Sequence, residues 1–372
     1  MLVIRLASGQ AVLGHEVGIF GYDAPGAGDV LEQATAQVPC FKQVRRHSIP
    51  PPATVRERLF ASRARRGVDA LLDELDVVHL HGVWDPILTA AYRAARARGR
   101  PYALAPHGML DPWSLSQKRL KKKLALTVAY RRMLDGAIFL HAGNLDEQRL
   151  IEPLGLRPPV EILPNGVFPE EFESLPPPGT FRAARPAVGN RPYVLFLSRL
   201  HYKKGLDYLA DAFSLLSSRR ADLDLVVAGP DEGELEPFRQ QVARLGLTTR
   251  VHIVGPLWGE DKLAAIVDAD CFCLPSRQEG FSMAITEVMA CGLPVVISEP
   301  CHFPEVREAG AGEVVPLDAR AIADALERVL QDPQQRQRMG QAGRELVRSR
   351  YTWPHIAEQC VRAYRREIGH PA

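Results

Sequence analysis

The sequence PSRQEGFSMAITEVMACGLPVVI (residues 275–297) reads as a strand end, a loop, a helix and a second strand. The apolar run Cys271–Leu274 before it predicts a short buried strand, which a proline and a glycine end. Residues 283–291 have a helical pattern that stops at a glycine, and 295–297 predict the next parallel strand. The loop therefore lies at the carboxyl end of a strand, where open α/β sheets bind ligands.

Two glutamates in this stretch, Glu279 in the loop and Glu287 in the helix, are separated by seven residues. Carboxylates accept hydrogen bonds from the vicinal hydroxyls of a sugar or ribose, and a helix N-terminus favours an anionic ligand. Two lone glutamates are usually solvated surface acids. The glycines and proline around this pair instead favour a tight backbone, so the pattern indicates a nucleotide-sugar site.

The order SRQEGFS (276–282) and EVMACGLPVV (287–296) resembles the donor-site signature of retaining glycosyltransferases of family 4. The resemblance implies an α/β protein of the GT-B fold, with two doubly wound, Rossmann-like parallel-sheet domains that face each other across a cleft. It also implies that Glu279 is catalytic and contacts the transferred sugar, and that Glu287 holds the ribose hydroxyls of the donor.

A second part of the predicted donor site follows the strand Tyr193–Leu197, where Arg199 and Lys204 flank a loop that leads into a helix. Cations in loops are usually just exposed to solvent. Next to a helix N-terminus they form a good cradle for a diphosphate. The resemblance assigns both to the donor pyrophosphate, together with the helix that starts near Gly280 and Phe281.

Two glycine turns follow later strands of the same half, one at Pro230 and one at Gly255. The resemblance implies that the first lines the donor site and that the second presents backbone to the nucleobase. Backbone contacts do not identify a base, so UDP, GDP and ADP donors stay open.

Two histidines, His81 and His107, come where strands of the first half end. A single histidine in such a place is more often a hydrogen-bonded structural residue. The resemblance implies that His107, in the loop PHGMLDPW (106–113), contacts the transferred sugar as a catalytic-site residue. His81 and Trp113 are candidates for lining the site or contacting the acceptor.

The chain has 372 residues, 46% of them hydrophobic, which predicts two globular domains. We expect an N-terminal, acceptor-side domain over 1–175, a linker over 176–190 and a nucleotide-sugar-binding domain over 191–350. The resemblance implies that a last helix, within 351–372, crosses back to the first domain. The formal net charge of +2 gives no electrostatic case for binding nucleic acid.

The chain enters on a helix, whereas a doubly wound domain normally begins with a strand. In family 4 enzymes a strand and a glycine-rich loop precede this helix. We therefore expect the N-terminal domain to lack its first strand, and Met1 to be an internal methionine of a longer sequence.

Residues 116–132, SQKRLKKKLALTVAYRR, gather cations around an apolar core. Two interpretations stay open: a solvated helix face, and an interfacial helix that meets anionic lipid or a polyprenyl-phosphate acceptor. No apolar run reaches the roughly 20 residues that span a bilayer, and no cleavable signal pattern is present. We expect a cytoplasmic protein, in peripheral contact with the inner face of the membrane if the second interpretation holds.

No Asp-x-Asp pair stands at a plausible metal position, and the six cysteines lack the spacing of a zinc site. A diphosphate held by cations and helix N–H groups has less need of a divalent ion. We therefore expect an enzyme that needs neither a metal nor a cofactor.

The sequence thus predicts a retaining glycosyltransferase that moves a hexose from a nucleoside diphosphate sugar to a saccharide or lipid-linked saccharide. Its place would be bacterial polysaccharide or glycolipid synthesis. Two alternatives stay open. A GT-B nucleotide-sugar epimerase would release the nucleotide without an acceptor, and a catalytically silent nucleotide-sugar-binding protein would fit the missing first strand.

Overall fold

The computed structural model describes residues 1–23, 35, 38–110, 126 and 130–369, which form two compact units. The first unit comprises Met1–Phe168 and Trp353–Ala372, and the second comprises Pro169–Thr352. Both are α/β units built on parallel strands. None of the helices in the described part is long and apolar enough to cross a membrane.

The first unit begins with a helix, as the sequence predicts. Its helices are α1 (Leu2–Val12), α2 (Val55–Phe60), α3 (Ser62–Asp69), α4 (Pro86–Ala97), α5 (Arg131–Asp135), α6 (Leu145–Ile151) and, at the end of the chain, α15 (Trp353–Ile368). Its strands are β1 (Gly18–Tyr22), β2 (Arg45–Ile49), β3 (Val78–His81), β4 (Tyr102–Ala105), β5 (Leu140–Ala142) and β6 (Val160–Ile162).

The strands of the first unit form two separate parallel sheets. Strands β1 and β2 pair only with each other among the described residues, and the larger sheet has the order β3-β4-β5-β6. His81, the last residue of β3, pairs with Ala105, the last residue of β4. The loop that follows β4 therefore starts beside His81, at the carboxyl edge of the sheet.

Helix α15 closes one face of the first unit against α1. At Gly9 of α1, an added Cβ would lie 2.8 Å from the carbonyl oxygen of Trp353, so the two helices approach closely only because this residue has no side chain. Trp353, Ile356 and Cys360 are buried in the same apolar cluster as Leu6. The last helix is therefore part of the core of the first unit.

The second unit is a doubly wound sheet of six parallel strands. Its strands are β7 (Tyr193–Leu197), β8 (Asp224–Ala228), β9 (Val251–Gly255), β10 (Cys271–Leu274), β11 (Val295–Ser298) and β12 (Gly312–Val315). Its helices are α7 (Thr180–Ala184), α8 (Leu206–Arg219), α9 (Leu235–Arg244), α10 (Gly259–Val267), α11 (Met283–Ala290), α12 (Glu305–Glu308), α13 (Ala319–Gln331) and α14 (Pro333–Arg350).

The strand order of this sheet, β12-β11-β10-β7-β8-β9, reverses between β7 and β10. The chain moves outward from β7 through β8 to β9 and then returns to the other side of β7 with β10. Crevices at such a reversal, outside the carboxyl ends of the strands, are where open α/β sheets bind ligands. The loops after β7 and β10 are therefore the place to search for a site.

Residues 176–190, expected to be a linker, belong to the second unit and contain α7. Phe181 is buried, and the backbone N–H of Arg182 donates to a carboxylate oxygen of Asp268 at 3.1 Å. The proline and glycine content predicted a linker between the domains, but one buried aromatic side chain and the carboxylate at the end of α10 fix the segment within the second unit.

Candidate active site

The loops after β7 and β10 touch at a glycine. Gly205 has a φ of +68°, and an added Cβ would overlap the carbonyl oxygen of Pro275. The backbone N–H of Arg277 donates to the carbonyl of Lys203 at 2.7 Å, which joins the same two loops. The residues predicted on the two loops are therefore brought to one place.

A buried ion pair lies at this junction. Nζ of Lys204 is 2.6 Å from Oε1 of Glu279, and the two side chains are only 10% and 7% exposed. The hydroxyl of Ser276 donates to the same carboxylate oxygen at 2.5 Å, and the backbone N–H of Glu279 donates to the backbone carbonyl of Pro300 at 3.0 Å. Removing two charges from water costs free energy that the attraction within a buried ion pair often does not exceed. This pair is therefore better explained by a role in the site than by a contribution to stability.

Arg199 has a different environment. Its guanidinium donates to both carboxylate oxygens of Glu232, at 3.0 and 2.7 Å, but its side chain is 57% exposed. An exposed pair of this kind stabilises a fold by about 0 to 1 kcal/mol. Arg199 can therefore exchange Glu232 for an anionic ligand at little cost.

Glu287, on α11, pairs with a residue that the sequence analysis missed. Nζ of Lys262, on α10, is 2.9 Å from Oε2 of Glu287, and both side chains are about one-fifth exposed. Lys262 lies in the first turns of the helix that follows the predicted turn at Gly255. This position, in the helix after a strand end, was the sequence signal that could have identified Lys262.

Gly280 and Phe281 lie in the loop directly before α11, which begins at Met283, as the helical pattern of residues 283–291 predicts. The ring of Phe281 packs against Phe303 and Tyr351, with ring centroids 5.5 and 5.8 Å away. The side chain of Phe281 thus anchors the loop in the second unit.

The turns at Pro230 and Gly255 lie at the same carboxyl edge. The backbone N–H of Leu200 donates to the carbonyl of Pro230 at 2.8 Å, and Gly229 donates to the carbonyl of Gly255 at 2.9 Å. Gly255 has a φ of +77°, which glycine adopts without strain. Both turns are thereby tied to the loop that carries Arg199.

In the first unit, His81 and His107 lie side by side. Nδ1 of His81 is 3.0 Å from Nε2 of His107, and the two rings stack with centroids 5.2 Å apart. The ring of His79 also stacks on His81, with ring centroids 4.4 Å apart. His107 itself has a φ of +52°, a left-handed conformation that is strained for a residue with a Cβ.

A hydrogen-bonded relay runs beside this stack. Nε2 of His141 is 2.6 Å from the carbonyl oxygen of Leu163, so it must carry a hydrogen. In a neutral ring Nδ1 of His141 then accepts, and Nε2 of His79, 3.4 Å away, donates. Nδ1 of His79 is left to accept from the hydroxyl of Tyr364 at 2.6 Å. The relay thus links the residue after β6, the strands β5 and β3, and the helix α15.

The histidine cluster is neutral at pH 7. Burial, helped by neighbouring imidazoles, lowers the pKa of His79 and of His81 well below the usual value. Burial lowers the pKa of His141 to about 4, and desolvation also lowers the pKa of His107. The cluster therefore supplies hydrogen bonds rather than positive charge. The sequence analysis missed His79 and His141, although His79 and His81 share one face of a strand.

Two expectations fall outside the structure. Trp113 and most of residues 116–132 lie outside the described residues.

Within the described ranges, no three or more His, Cys, Asp or Glu side chains are grouped as ligands of a metal ion.

Two family models match this chain. The model of the glycosyl transferases group 1 matches residues 179–346, and the model of the glycosyl transferase 4-like domain matches residues 3–166.

Two named proteins are similar along most of the chain. The phosphatidyl-myo-inositol mannosyltransferase of Mycobacterium leprae is 32% identical over 321 residues, which cover 82% of this chain and 76% of that protein. The GDP-mannose-dependent alpha-(1-6)-phosphatidylinositol monomannoside mannosyltransferase of Mycolicibacterium smegmatis is 29% identical over 355 residues, with 93% and 89% covered.

Solved structures share the fold at low sequence identity. A glycosyltransferase from Rickettsia africae ESF-5 has a TM-score of 0.77 and 18% identity, and 99% of this chain and 94% of that chain are covered. Anabaena Alr3699/HepE in complex with UDP and glucose has a TM-score of 0.73 and 21% identity, with 97% and 94% covered. These likenesses confirm the predicted α/β fold of the GT-B type, with two Rossmann-like units.

Proposed function

The chain belongs to the glycosyl transferases of group 1, family 4, and from this we propose that it is a retaining hexosyltransferase with a nucleoside diphosphate sugar as donor. It is a glycosyltransferase by that membership. The observation that carries the proposed donor chemistry is the buried Lys204–Glu279 pair where the strand order of the second unit reverses.

The proposed donor site follows from the charges on the two loops. The diphosphate binds Arg199 and Lys204. Arg199 exchanges Glu232 for a phosphate oxygen, and Glu279, on the loop after β10, holds Lys204 in place. The ribose hydroxyls donate to Glu287, whose carboxylate Lys262 holds. Because these cations neutralise the leaving diphosphate, we propose that transfer needs no metal ion.

The proposed transfer balances without a separate base. The bond between the anomeric carbon and the phosphate oxygen breaks, and the oxygen of the acceptor hydroxyl bonds to the same face of that carbon. The leaving phosphate takes the proton of the acceptor. Glu279 stabilises the positive charge that develops at the anomeric carbon, and neutral His107 makes a hydrogen bond to a hydroxyl of the sugar.

We further propose GDP-mannose as the donor and a membrane lipid of the phosphatidylinositol class as the acceptor. The support is the pair of relatives, 29% and 32% identical over most of their length, whose names specify phosphatidylinositol mannosyl transfer. The Anabaena structure holds UDP and glucose, so UDP-glucose is the competing donor.

The test is a transfer assay with vesicles that contain phosphatidylinositol, in EDTA, with GDP-mannose or UDP-glucose as donor. We expect mannosylated lipid from GDP-mannose, with the α-configuration of the donor kept in the product by NMR. Glu279→Gln should abolish transfer while GDP still binds, and Glu308→Gln, an exposed acid of the same unit, should transfer normally. An inverted product, or full activity of Glu279→Gln, would overturn the mechanism.

A further inference from the structure

We propose that Glu147 is a positioning residue for transfer, because its carboxylate fixes the loop that presents His107. This inference rests on the proposed function, in which His107 contacts the sugar. Glu147 lies on the first turn of α6, and no feature of the sequence singled it out.

The carboxylate of Glu147 bridges two loops at the carboxyl edge of the sheet. Oε1 accepts from the backbone N–H of Gly108 at 2.6 Å, and Oε2 accepts from the backbone N–H of Gly143 at 2.7 Å. Gly108 follows β4 and Gly143 follows β5. One side chain therefore ties together the ends of neighbouring strands.

The backbone of Glu147 is itself fixed. Its N–H donates to the side-chain oxygen of Asn144, the residue that caps α6, at 2.8 Å. A role in capping α6 would account for the contact with Gly143, which precedes the cap. It does not account for the contact with Gly108, 39 residues away in sequence.

The loop needs such a restraint. His107 has a φ of +52° and Gly108 a φ of +71°, so a residue with a Cβ is held in a strained conformation. The N–H that Glu147 binds belongs to the residue directly after His107. His81 engages Nε2 of the same ring at 3.0 Å, so within the described part of the chain Nδ1 is the nitrogen that remains for a ligand. Glu147 thus fixes the backbone of the loop at Gly108, and His81 fixes the orientation of the His107 ring.

Loss of the Glu147 carboxylate should therefore displace His107 without unfolding the unit or affecting nucleotide binding. A misplacement of about 1 Å at a reacting centre costs on the order of 100-fold in rate. We expect Glu147→Ala to lower kcat by about that factor, with the Kd for GDP unchanged within about twofold. Glu147→Gln, which retains one acceptor oxygen, should lose less.

The decisive experiment is a double-mutant cycle with His107→Ala, using GDP-mannose and phosphatidylinositol vesicles as probes. If Glu147 acts through His107, the double variant should be no slower than His107→Ala alone. Multiplicative losses, or full activity of Glu147→Ala, would overturn the inference. Should Glu147→Ala fail to fold, Glu147→Gln serves in the same cycle.

The control is Glu152→Gln, an exposed acid at the end of the same helix, which should have the kcat of the unmodified chain. A chain that binds GDP but transfers nothing to any acceptor would contradict the proposed function instead. The two failures are thereby distinguished.

Discussion

Lys204 and Arg199 were both predicted to bind the donor pyrophosphate, but the structure places them in environments where loss of the cation has different effects on stability. The Lys204 ammonium lies in a buried pair with Glu279, whereas Arg199 meets Glu232 in contact with solvent. Removing one partner of a buried pair leaves the other charge desolvated and unpaired. The same kind of substitution at an exposed pair leaves a charge that water solvates.

We expect Lys204→Ala to lower the free energy of unfolding of the second unit by about 3 kcal/mol, because Glu279 is left buried and unpaired. Arg199→Ala should lower it by less than about 1 kcal/mol, while still raising the KM for the donor. Urea unfolding and donor kinetics on both variants measure the difference. Equal stability losses would contradict the assigned environments.

At the residue scale, the sequence supplied the residue types but not their partners. Lys204 and Glu279 were assigned to one site because both follow strands of a parallel sheet, and the structure brings them into contact. Lys262 and Glu147 were missed because their roles depend on a hydrogen bond to a distant element. Such contacts depend on how neighbouring helices and loops are placed, which no local pattern encodes.

Among the elements, the approach of the loops after β7 and β10 depends on one glycine. Gly205 (φ +68°, ψ +36°) and Gly155 of the first unit (φ +56°, ψ +45°) both have the left-handed helical conformation, so substitution by alanine strains the two backbones similarly. Of these two positions, only at Gly205 would the new Cβ overlap another chain segment, the carbonyl of Pro275; at Gly155 it meets nothing within 4 Å.

We therefore expect Gly155→Ala to cost about 1 kcal/mol of stability with donor affinity unchanged. Gly205→Ala should cost more and should weaken GDP binding, because the two loops that carry the donor residues must separate. Thermal unfolding and GDP titration of both variants test this. Equal effects at the two positions would show that strain alone matters.

The histidine relay joins β3, β5, Leu163 after β6 and the helix α15, so the stability of the first unit should depend on pH. The pKa of His141 is about 4 in the folded chain and about 6.5 when unfolded. Between these values the unfolded chain binds more protons, so stability is present above pH 6.5 and lost as the pH falls toward 4.

We expect the opening free energy of β3 and β5, measured by amide hydrogen exchange, to fall by about 1.4 kcal/mol per pH unit from His141 alone in that window. His141→Gln should reduce the slope by about that amount, because glutamine has no group that titrates in this window. The variant should still fold, because the glutamine amide can donate to the carbonyl of Leu163. An unchanged slope in this variant would contradict the neutral relay.

At the element scale, the second unit was predicted best. The strands Tyr193–Leu197 and Cys271–Leu274 have the predicted bounds, because each is a fully buried apolar run between clear breakers. Residues 176–190 were expected to be a linker between the domains because proline and glycine are frequent there. Their attachment to the second unit depends on Phe181 and Asp268, which are 87 residues apart and form no local pattern.

On the scale of the whole molecule, the described residues form two Rossmann-like units that share a fold class and differ in chemistry. The first holds neutral histidines and a strained loop; the second holds paired charges at the reversal of its strand order. The length of the chain predicted two domains, and the family resemblance implied their class. The return of α15 to the first unit was implied by the family resemblance, since no local pattern encodes it.

The central claim is that the second unit holds a nucleoside diphosphate through Arg199, Lys204 and Glu287. The most direct measurement is isothermal titration of the purified chain with GDP in EDTA, repeated on Glu287→Ala and on Glu308→Gln. We expect binding to the unmodified chain and to Glu308→Gln, and at least about tenfold weaker binding to Glu287→Ala, because the ribose hydroxyls lose a charged acceptor. Equal affinity of all three proteins for GDP would contradict the claim.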